Sequence, residues 1–170
     1  MDLLKFIRSV PDFPKDGILF RDVTPLLADI EAFTSAIDKM VVLSKQFRPD
    51  VIAGIESRGF IFGAPISLKL RLPFVPIRKE GKLPFEKESA RYDLEYGNDK
   101  LEIHVDAFQP GKKVLLVDDL IATGGTLEAS SRLVESLNAE VVGICVLIEL
   151  SGFGSRELLL GRQVSSVLQL

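Results

Sequence analysis

Three short apolar runs punctuate the chain: Val51-Ile52-Ala53, Val114-Leu115-Leu116-Val117, and Val141 to Ile148 with Gly143 inside it. Each is rich in β-branched residues and bounded by polar or turn residues, which predicts buried strands. Their apolarity is unbroken rather than alternating, so both faces of the sheet should be covered, as in a parallel sheet. Helical stripes lie between them. Phe33, Ile37, Met40 and Val41 recur at i, i+4, i+7 and i+8, and Leu127, Ser130, Leu133, Val134 and Leu137 form a second stripe that stops near Asn138. Strand, helix and strand in alternation predict an α/β fold, a mostly parallel twisted sheet flanked by helices and joined by right-handed crossovers.

One segment departs from this pattern. Residues 79–100 hold 11 charged side chains in 22 positions, which leaves little to bury. Within it Tyr92, Leu94 and Tyr96 alternate as one face of a strand would. A mobile hairpin over a site and a solvated surface excursion both fit that composition.

Composition narrows the function classes. The chain has 170 residues, 46% hydrophobic and 26% charged, which suits one domain able to bury a sizeable core without disulfides or a structural metal. The charge sum, 21 − 24 = −3, supplies no basic field for nucleic acid. No apolar run approaches the ~18 residues of a spanning helix, so no membrane partner is expected. The start, Met1-Asp2-Leu3-Leu4-Lys5, has neither a basic leader nor a long apolar run, and a cytoplasmic protein is expected. The lone Cys145, inside the third apolar run, reads as a small buried hydrophobe.

The stretch from Val114 to Thr126 carries the most chemistry. It reads as a buried strand ending in Asp118 and Asp119, then a small-residue turn, then the start of an amphipathic helix. Glycines let backbone N–H groups converge, threonine hydroxyls add donors, and the helix N-terminus adds partial positive charge, an assembly suited to a phosphate monoester. The carboxyl end of a parallel strand is also where open α/β sheets bind ligands. Two adjacent acids repel unless they meet hydroxyls, a cation or a developing positive charge. The alternative is purely structural: aspartates capping a helix after a glycine turn.

This stretch resembles the phosphoribosyl pyrophosphate motif of the type I phosphoribosyltransferases. The resemblance runs over nearly the whole chain, through Pro11 to Pro14, Gly17 to Pro25, Ala53 to Phe60, Ile77 to Pro84, Leu94 to Gly97 and Glu149 to Ser151. The amino-terminal block and Leu94 to Gly97 resemble the adenine-specific branch. The resemblance implies the type I phosphoribosyltransferase fold in a single domain, with residues 1–35 a hood over the base and 79–100 a lid hairpin. It implies transfer of phosphoribosyl from phosphoribosyl pyrophosphate to adenine, giving AMP and pyrophosphate, in cytoplasmic purine salvage by a homodimer. Magnesium is implied as well, bound mainly through substrate oxygens rather than protein ligands.

Residue roles follow the matched motifs. Ala122, Thr123, Gly124, Gly125 and Thr126 would hold the 5′-phosphate, and Asp118 and Asp119 would meet the ribose hydroxyls and favour a cationic sugar. Ser57 and Arg58, in a loop expected to carry a non-proline cis peptide at Glu56-Ser57, would take the pyrophosphate with Arg78, Lys79 and Lys82. Leu19, Phe20 and Arg21 would read adenine, and Glu95, beside Tyr96 in the lid, would handle the proton at N7 of the purine. Glu80 and Asp16 depart from the family pattern, and Glu80 adds a negative charge near the pyrophosphate.

Other classes leave weaker traces. Gly54 to Gly59 is one residue off a nucleophile elbow, but the only histidine for a hydrolase is His104, in an alternating strand pattern that turns it to solvent. A non-catalytic sensor of phosphoribosyl pyrophosphate would need a second module that 170 residues leave little room for. Another purine, hypoxanthine, guanine or xanthine, would need only one hydrogen-bond reversal at position six.

Overall fold

The computed structural model describes residues 1–93 and 98–170, with the main chain alone for Asp93 and Asn98. The chain divides into two units, Met1–Lys39 and Met40–Leu170. The first opens with a 3-10 turn, Leu3–Phe6, whose N-terminus is capped by the Asp2 carboxylate accepting from the Leu4 N–H at 3.1 Å. An antiparallel hairpin follows, β1 (Arg8–Pro11) on β2 (Leu19–Asp22), with Val10 opposite Phe20. Asp12 accepts from the Gly17 N–H at 2.8 Å, and the Phe13 ring meets Phe20 edge-on at 5.1 Å between centroids. The short helix α1 (Thr24–Ala28) carries Pro25 in its first turn, where a missing N–H costs nothing. Helix α2 (Ile30–Lys45) begins in the first unit and ends in the second. Its stripe is as the spacing predicts, with Ile37, Met40 and Val41 buried.

The second unit is built on a seven-stranded sheet in the order β5-β6-β4-β3-β7-β8-β9. Strands β3 (Val51–Ile55), β4 (Phe74–Lys79), β7 (Lys113–Ile121), β8 (Glu140–Glu149) and β9 (Val164–Gln169) run parallel. The three apolar runs lie in β3, β7 and β8, and burial is continuous along the first two and from Gly143 onward in the third, where Val141 and Val142 are half-buried. Val114 and Leu116 join a cluster with Leu127, Leu133 and Val134 of α4 (Gly125–Ser136), while Leu115 and Val117, which point to the other face, are also fully buried. The β3 crossover runs through α3 (Arg58–Leu70) to β4, and the β7 crossover runs through α4 to β8 on the opposite side. The sheet order therefore reverses between β3 and β7, and their carboxyl ends flank the crevice where such sheets hold ligands.

Two expectations need correction. Strand β7 does not end at the acids: pairing continues through Leu120 with Ile148 and Ile121 with Glu149, so the chain leaves the sheet only at Ala122. Nor do Asp118 and Asp119 cap a helix, since the residue before α4 is Gly124. The charged segment 79–100 buries more than its composition suggests. Strands β5 (Lys87–Asp93) and β6 (Asn98–His104) form an antiparallel hairpin that extends the sheet past β4, and Ala90, Tyr92, Leu101 and Ile103 enter the core cluster. A few apolar side chains are enough to join it to the core, although Asp99, opposite Tyr92, places a charge on the same face.

His104 also differs from its expected place. Its ring packs edge-on against Phe85 at 6.0 Å, and its Nε2 is buried with no hydrogen-bond partner among the described residues. Cys145 is fully buried, and burial pushes its thiol up to about 11, which leaves it inert as predicted.

A short helix, α5 (Ser155–Leu158), precedes β9. Arg156 forks onto the buried Glu149 with two contacts of 2.6 Å, and Ser166 donates to the same carboxylate at 2.9 Å. The Arg156 hydrogen bonds hold Glu149 below its ordinary value of 4.5. A depressed folded value means that this carboxylate stabilises the fold above pH 4.5 and that the contribution is lost as pH falls through the folded value. Melting temperature followed from pH 5 downward is expected to fall more steeply in the wild type than in Glu149→Gln; parallel curves would count against that contribution.

Candidate active site

The crevice between β3 and β7 gathers the acids and bases of the two matched motifs. Asp119 is buried two residues before the end of β7, and Arg58, the first residue of α3, reaches it with Nε 2.9 Å from Oδ2. Asp118 accepts the N–H of Asp119 at 2.8 Å. Helix α3 can come this close because its second residue is Gly59. A Cβ there would lie 2.7 Å from the Val117 carbonyl oxygen and 3.0 Å from Asp118 Oδ1.

The two carboxylates resist being charged together. Burial, then the neighbouring charge of Asp119, push Asp118 well above the ordinary carboxylate range. Burial also raises Asp119, while the Arg58 guanidinium opposes it. The pair is therefore poised to ionise fully only when hydroxyl donors or positive charge arrive beside it.

Beyond Ile121 the chain turns through Ala122 and Thr123 into α4. Gly124 sits there at φ +89, a left-handed conformation that a side chain would strain, and its Cβ direction faces Leu159 at 3.5 Å. No side chain caps the helix, so its first N–H groups point outward uncapped. Thr123 is exposed; Gly125 and Thr126 are half-buried. This is a cradle of donors at a positive helix end, five residues from the twin acids.

On the other side of β3 the loop begins with Glu56 and Ser57, joined by a cis peptide as the resemblance implied. Ser57 is exposed. Glu56 accepts Arg78 Nε at 2.9 Å and the Lys79 N–H at 2.8 Å, and the Arg78 bond holds its carboxyl below the ordinary value. Arg78 also lies over the Phe60 ring, 5.8 Å from its centroid. Lys79 pairs with Asp99 at 3.2 Å, Glu80 with Lys100 at 2.8 Å, and Lys82 is exposed on the following turn. The extra negative charge of Glu80 is thus neutralised locally. The Gly81 N–H of that turn donates to the buried Glu102 at 3.0 Å.

Leu19, Phe20 and Arg21 lie on β2 in the first unit, where Leu19 is exposed, Phe20 packs on Phe13, and Arg21 donates to Ser9. Glu95 and Tyr96 lie outside the described residues. Sequence reasoning assigned nothing to Glu56, Asp99 or Glu102, each of which orients a basic residue or its loop. The pairing of β3 with β4 brings Glu56 there and that of β4 with β6 brings Asp99 and Glu102, and no local signal in the chain announces either.

Residues 23–156 match the profile of the phosphoribosyl transferase domain. The adenine phosphoribosyltransferase of Halothermothrix orenii is 56% identical over 169 residues, 99% of either chain. This chain belongs to the adenine phosphoribosyltransferases. The crystal structure of adenine phosphoribosyltransferase from Thermoanaerobacter pseudethanolicus superposes with a TM-score of 0.94 at 48% identity, covering 99% of this chain and 98% of that one. The Saccharomyces cerevisiae adenine phosphoribosyltransferase, crystallised with adenine and an imino-altritol bisphosphate, has a TM-score of 0.93 at 40% identity, covering 98% of this chain and 97% of its own. Adenine phosphoribosyltransferases are pentosyl-transferring enzymes, and the fold expected from the sequence is the fold found.

Proposed function

We propose that this chain transfers the phosphoribosyl group of phosphoribosyl pyrophosphate to adenine, giving AMP and pyrophosphate in purine salvage. The observation that carries this reading is the juxtaposition at the β3–β7 crevice of an uncapped glycine-threonine helix start with Asp118, the buried Asp119 and Arg58. In the reaction N9 of adenine attacks the anomeric carbon while the bond from that carbon to pyrophosphate breaks, its electron pair leaving on the pyrophosphate oxygen. Ala122 to Thr126 anchor the 5′-phosphate, which fixes the sugar. Asp118 and Asp119 accept from the ribose hydroxyls and face the positive charge that grows on the ring. Ser57, Arg58, Arg78, Lys79 and Lys82 receive the leaving charge, arginine forks being well matched to phosphate oxygens.

Leu19, Phe20 and Arg21 read the purine, with the Phe20 face offered to the flat ring. Residues 1–35 serve as the hood and 79–100 as the lid of one catalytic domain. Glu95 takes the proton from N7, with Tyr96 beside it. Glu95→Gln is expected to lower kcat while KM for both substrates stays within about twofold, because it removes a proton acceptor and not a binding contact. A kcat equal to wild type would return Glu95 to the surface.

Among the described residues no three His, Cys, Asp or Glu side chains gather as a metal cage. Magnesium would fit as part of the substrate, held by diphosphate and ribose oxygens, where it screens their charge. Among the described residues no helix is long and apolar enough to cross a membrane. We place the protein in the cytoplasm as a homodimer, a state that sedimentation will test.

Incubating the protein with magnesium, phosphoribosyl pyrophosphate and each purine base in turn tests the whole reading. Pyrophosphate release with adenine is expected. Release with hypoxanthine, guanine or xanthine instead would reassign the base, and release with none would leave a phosphate-sensing protein without turnover.

A further inference from the structure

The hairpin β5–β6 is tied to the phosphate side of the site by side chains that the transfer mechanism does not use. Tyr92 of β5 is buried, and its phenol donates to Asp99 Oδ2 at 3.0 Å across the hairpin. The same Asp99 oxygen pairs with Lys79 Nζ at 3.2 Å, and its other oxygen accepts the Lys100 N–H at 2.8 Å. Burial works against the charge on Asp99, but these three donors outweigh it and hold the carboxyl below its ordinary value.

Tyr92 has one proton, and a carboxylate can only accept, so that proton goes to Asp99. The phenol oxygen keeps a lone pair on its other side, where Thr126, in the first turn of α4, and Asp118 both lie near enough to act on it. The outer edge of β5 is fastened to α4 besides, by Arg132 donating to the Arg91 carbonyl at 2.7 Å. A chain of contacts therefore runs from Thr126 through Tyr92 and Asp99 to Lys79.

We propose that Tyr92 and Asp99 are a positioning pair that couples the 5′-phosphate loop to the lid cation Lys79, so that both ends of phosphoribosyl pyrophosphate meet groups set by one carboxylate. Neither residue touches a reacting atom. Asp99 fixes where the ammonium of Lys79 stands and which way the Thr126 hydroxyl turns, and its loss loosens both at once. The inference rests on the function proposed above, since it takes the two ends to be the two ends of that substrate.

The test is a set of variants, Tyr92→Phe, Asp99→Asn, Asp99→Ala and the Tyr92→Phe/Asp99→Ala pair, each read by KM for phosphoribosyl pyrophosphate, KM for adenine, and kcat. Asp99→Ala is expected to raise KM for phosphoribosyl pyrophosphate about tenfold, as loss of a charge-assisted contact would. Adenine KM is expected to stay within about twofold, because uniform loosening of the fold would move both. Asp99→Asn keeps an acceptor for Tyr92 but no charge for Lys79, and is expected to fall between. The double variant is expected to be no worse than Asp99→Ala alone, as for groups that act as one unit.

Equal rises for both substrates overturn the proposal, as do penalties that multiply in the double variant. Should Asp99→Ala fail to fold, the near-isosteric Asp99→Asn decides it: a KM for phosphoribosyl pyrophosphate equal to wild type overturns it. A wild type that makes no AMP would instead sink the function itself. The coupling would then be read from phosphoribosyl pyrophosphate affinity by calorimetry, with the same pattern across the variants supporting it and equal affinities overturning it.

Discussion

Asp118→Asn is expected to lower kcat by about 10²–10³, the usual cost of deleting a preorganised electrostatic group, and at the same time to raise the melting temperature. The two effects have one cause. Burial and the charge of Asp119 hold Asp118 well above its ordinary range in the folded protein. A raised folded value means that its contribution is most favourable below the unfolded value and declines as pH climbs toward the folded one. At neutral pH the unsubstituted carboxyl is therefore a burden on the fold. Asparagine removes that charge yet keeps an oxygen for the Asp119 N–H, now received at 2.8 Å, so the end of β7 has no reason to move.

What asparagine cannot do is become negative when the sugar becomes positive. KM for phosphoribosyl pyrophosphate is expected to change much less than kcat, because an amide still accepts a bond from a ribose hydroxyl. Thermal melting with and without substrate, alongside steady-state rates, checks both halves. A variant that is slower and less stable would contradict the account, since it would show that the second charge supports the fold. The sacrifice of stability at a reactive site is a familiar trade in enzymes.

The parts of this molecule legible in its sequence are those fixed by local pattern. Val51, Val114 to Val117 and Val141 to Ile148 announce buried parallel strands because nothing but an apolar slab between two helical layers accepts such runs. Gly124 is legible as a turn because only glycine tolerates its φ of +89 cheaply. Gly59 is a subtler case: its neighbours spell a loop motif, but the reason for glycine is the Val117 carbonyl, 58 positions along the chain and 2.7 Å from where a Cβ would stand.

Partners across strands were not legible. Glu56 and Arg78 are 22 residues apart and meet because β3 and β4 run side by side in register. His104 and Glu102 sit in a pattern that alternates cleanly, yet both are drawn inward, His104 against Phe85 and Glu102 beneath the Gly81 turn. Alternation assigns faces, but it does not say whether the outer face of a hairpin is itself covered. Even so, the amino-terminal block and the phosphate motif carry enough local chemistry to indicate the family.

Arg58→Ala is expected to raise KM for phosphoribosyl pyrophosphate on the order of 100-fold, the scale of losing a charged hydrogen-bond partner at a phosphate, while adenine affinity changes by less than about twofold. Arg58 is at the entrance of α3, 38% exposed, with Nε committed to Asp119. One edge of the guanidinium thus faces the carboxylate, and in the proposed role the planar fork also donates to the leaving pyrophosphate. Truncation removes both contacts.

The second loss has its own signature. Asp119 is buried, and Arg58 is the largest influence opposing the burial that raises its carboxyl, so its loss lets that carboxyl rise further. It is then expected to take up a proton nearer to neutrality, so the kcat/KM profile of Arg58→Ala should rise with pH through a window where the wild type is flat. Arg58→Lys separates the contributions: a point charge restores the flat profile by neutralising Asp119 but recovers only part of the substrate affinity, because ammonium lacks the fork. Equal weakening of adenine and phosphoribosyl pyrophosphate, or a flat profile in Arg58→Ala, would show that Arg58 serves neither the diphosphate nor the acid beside it.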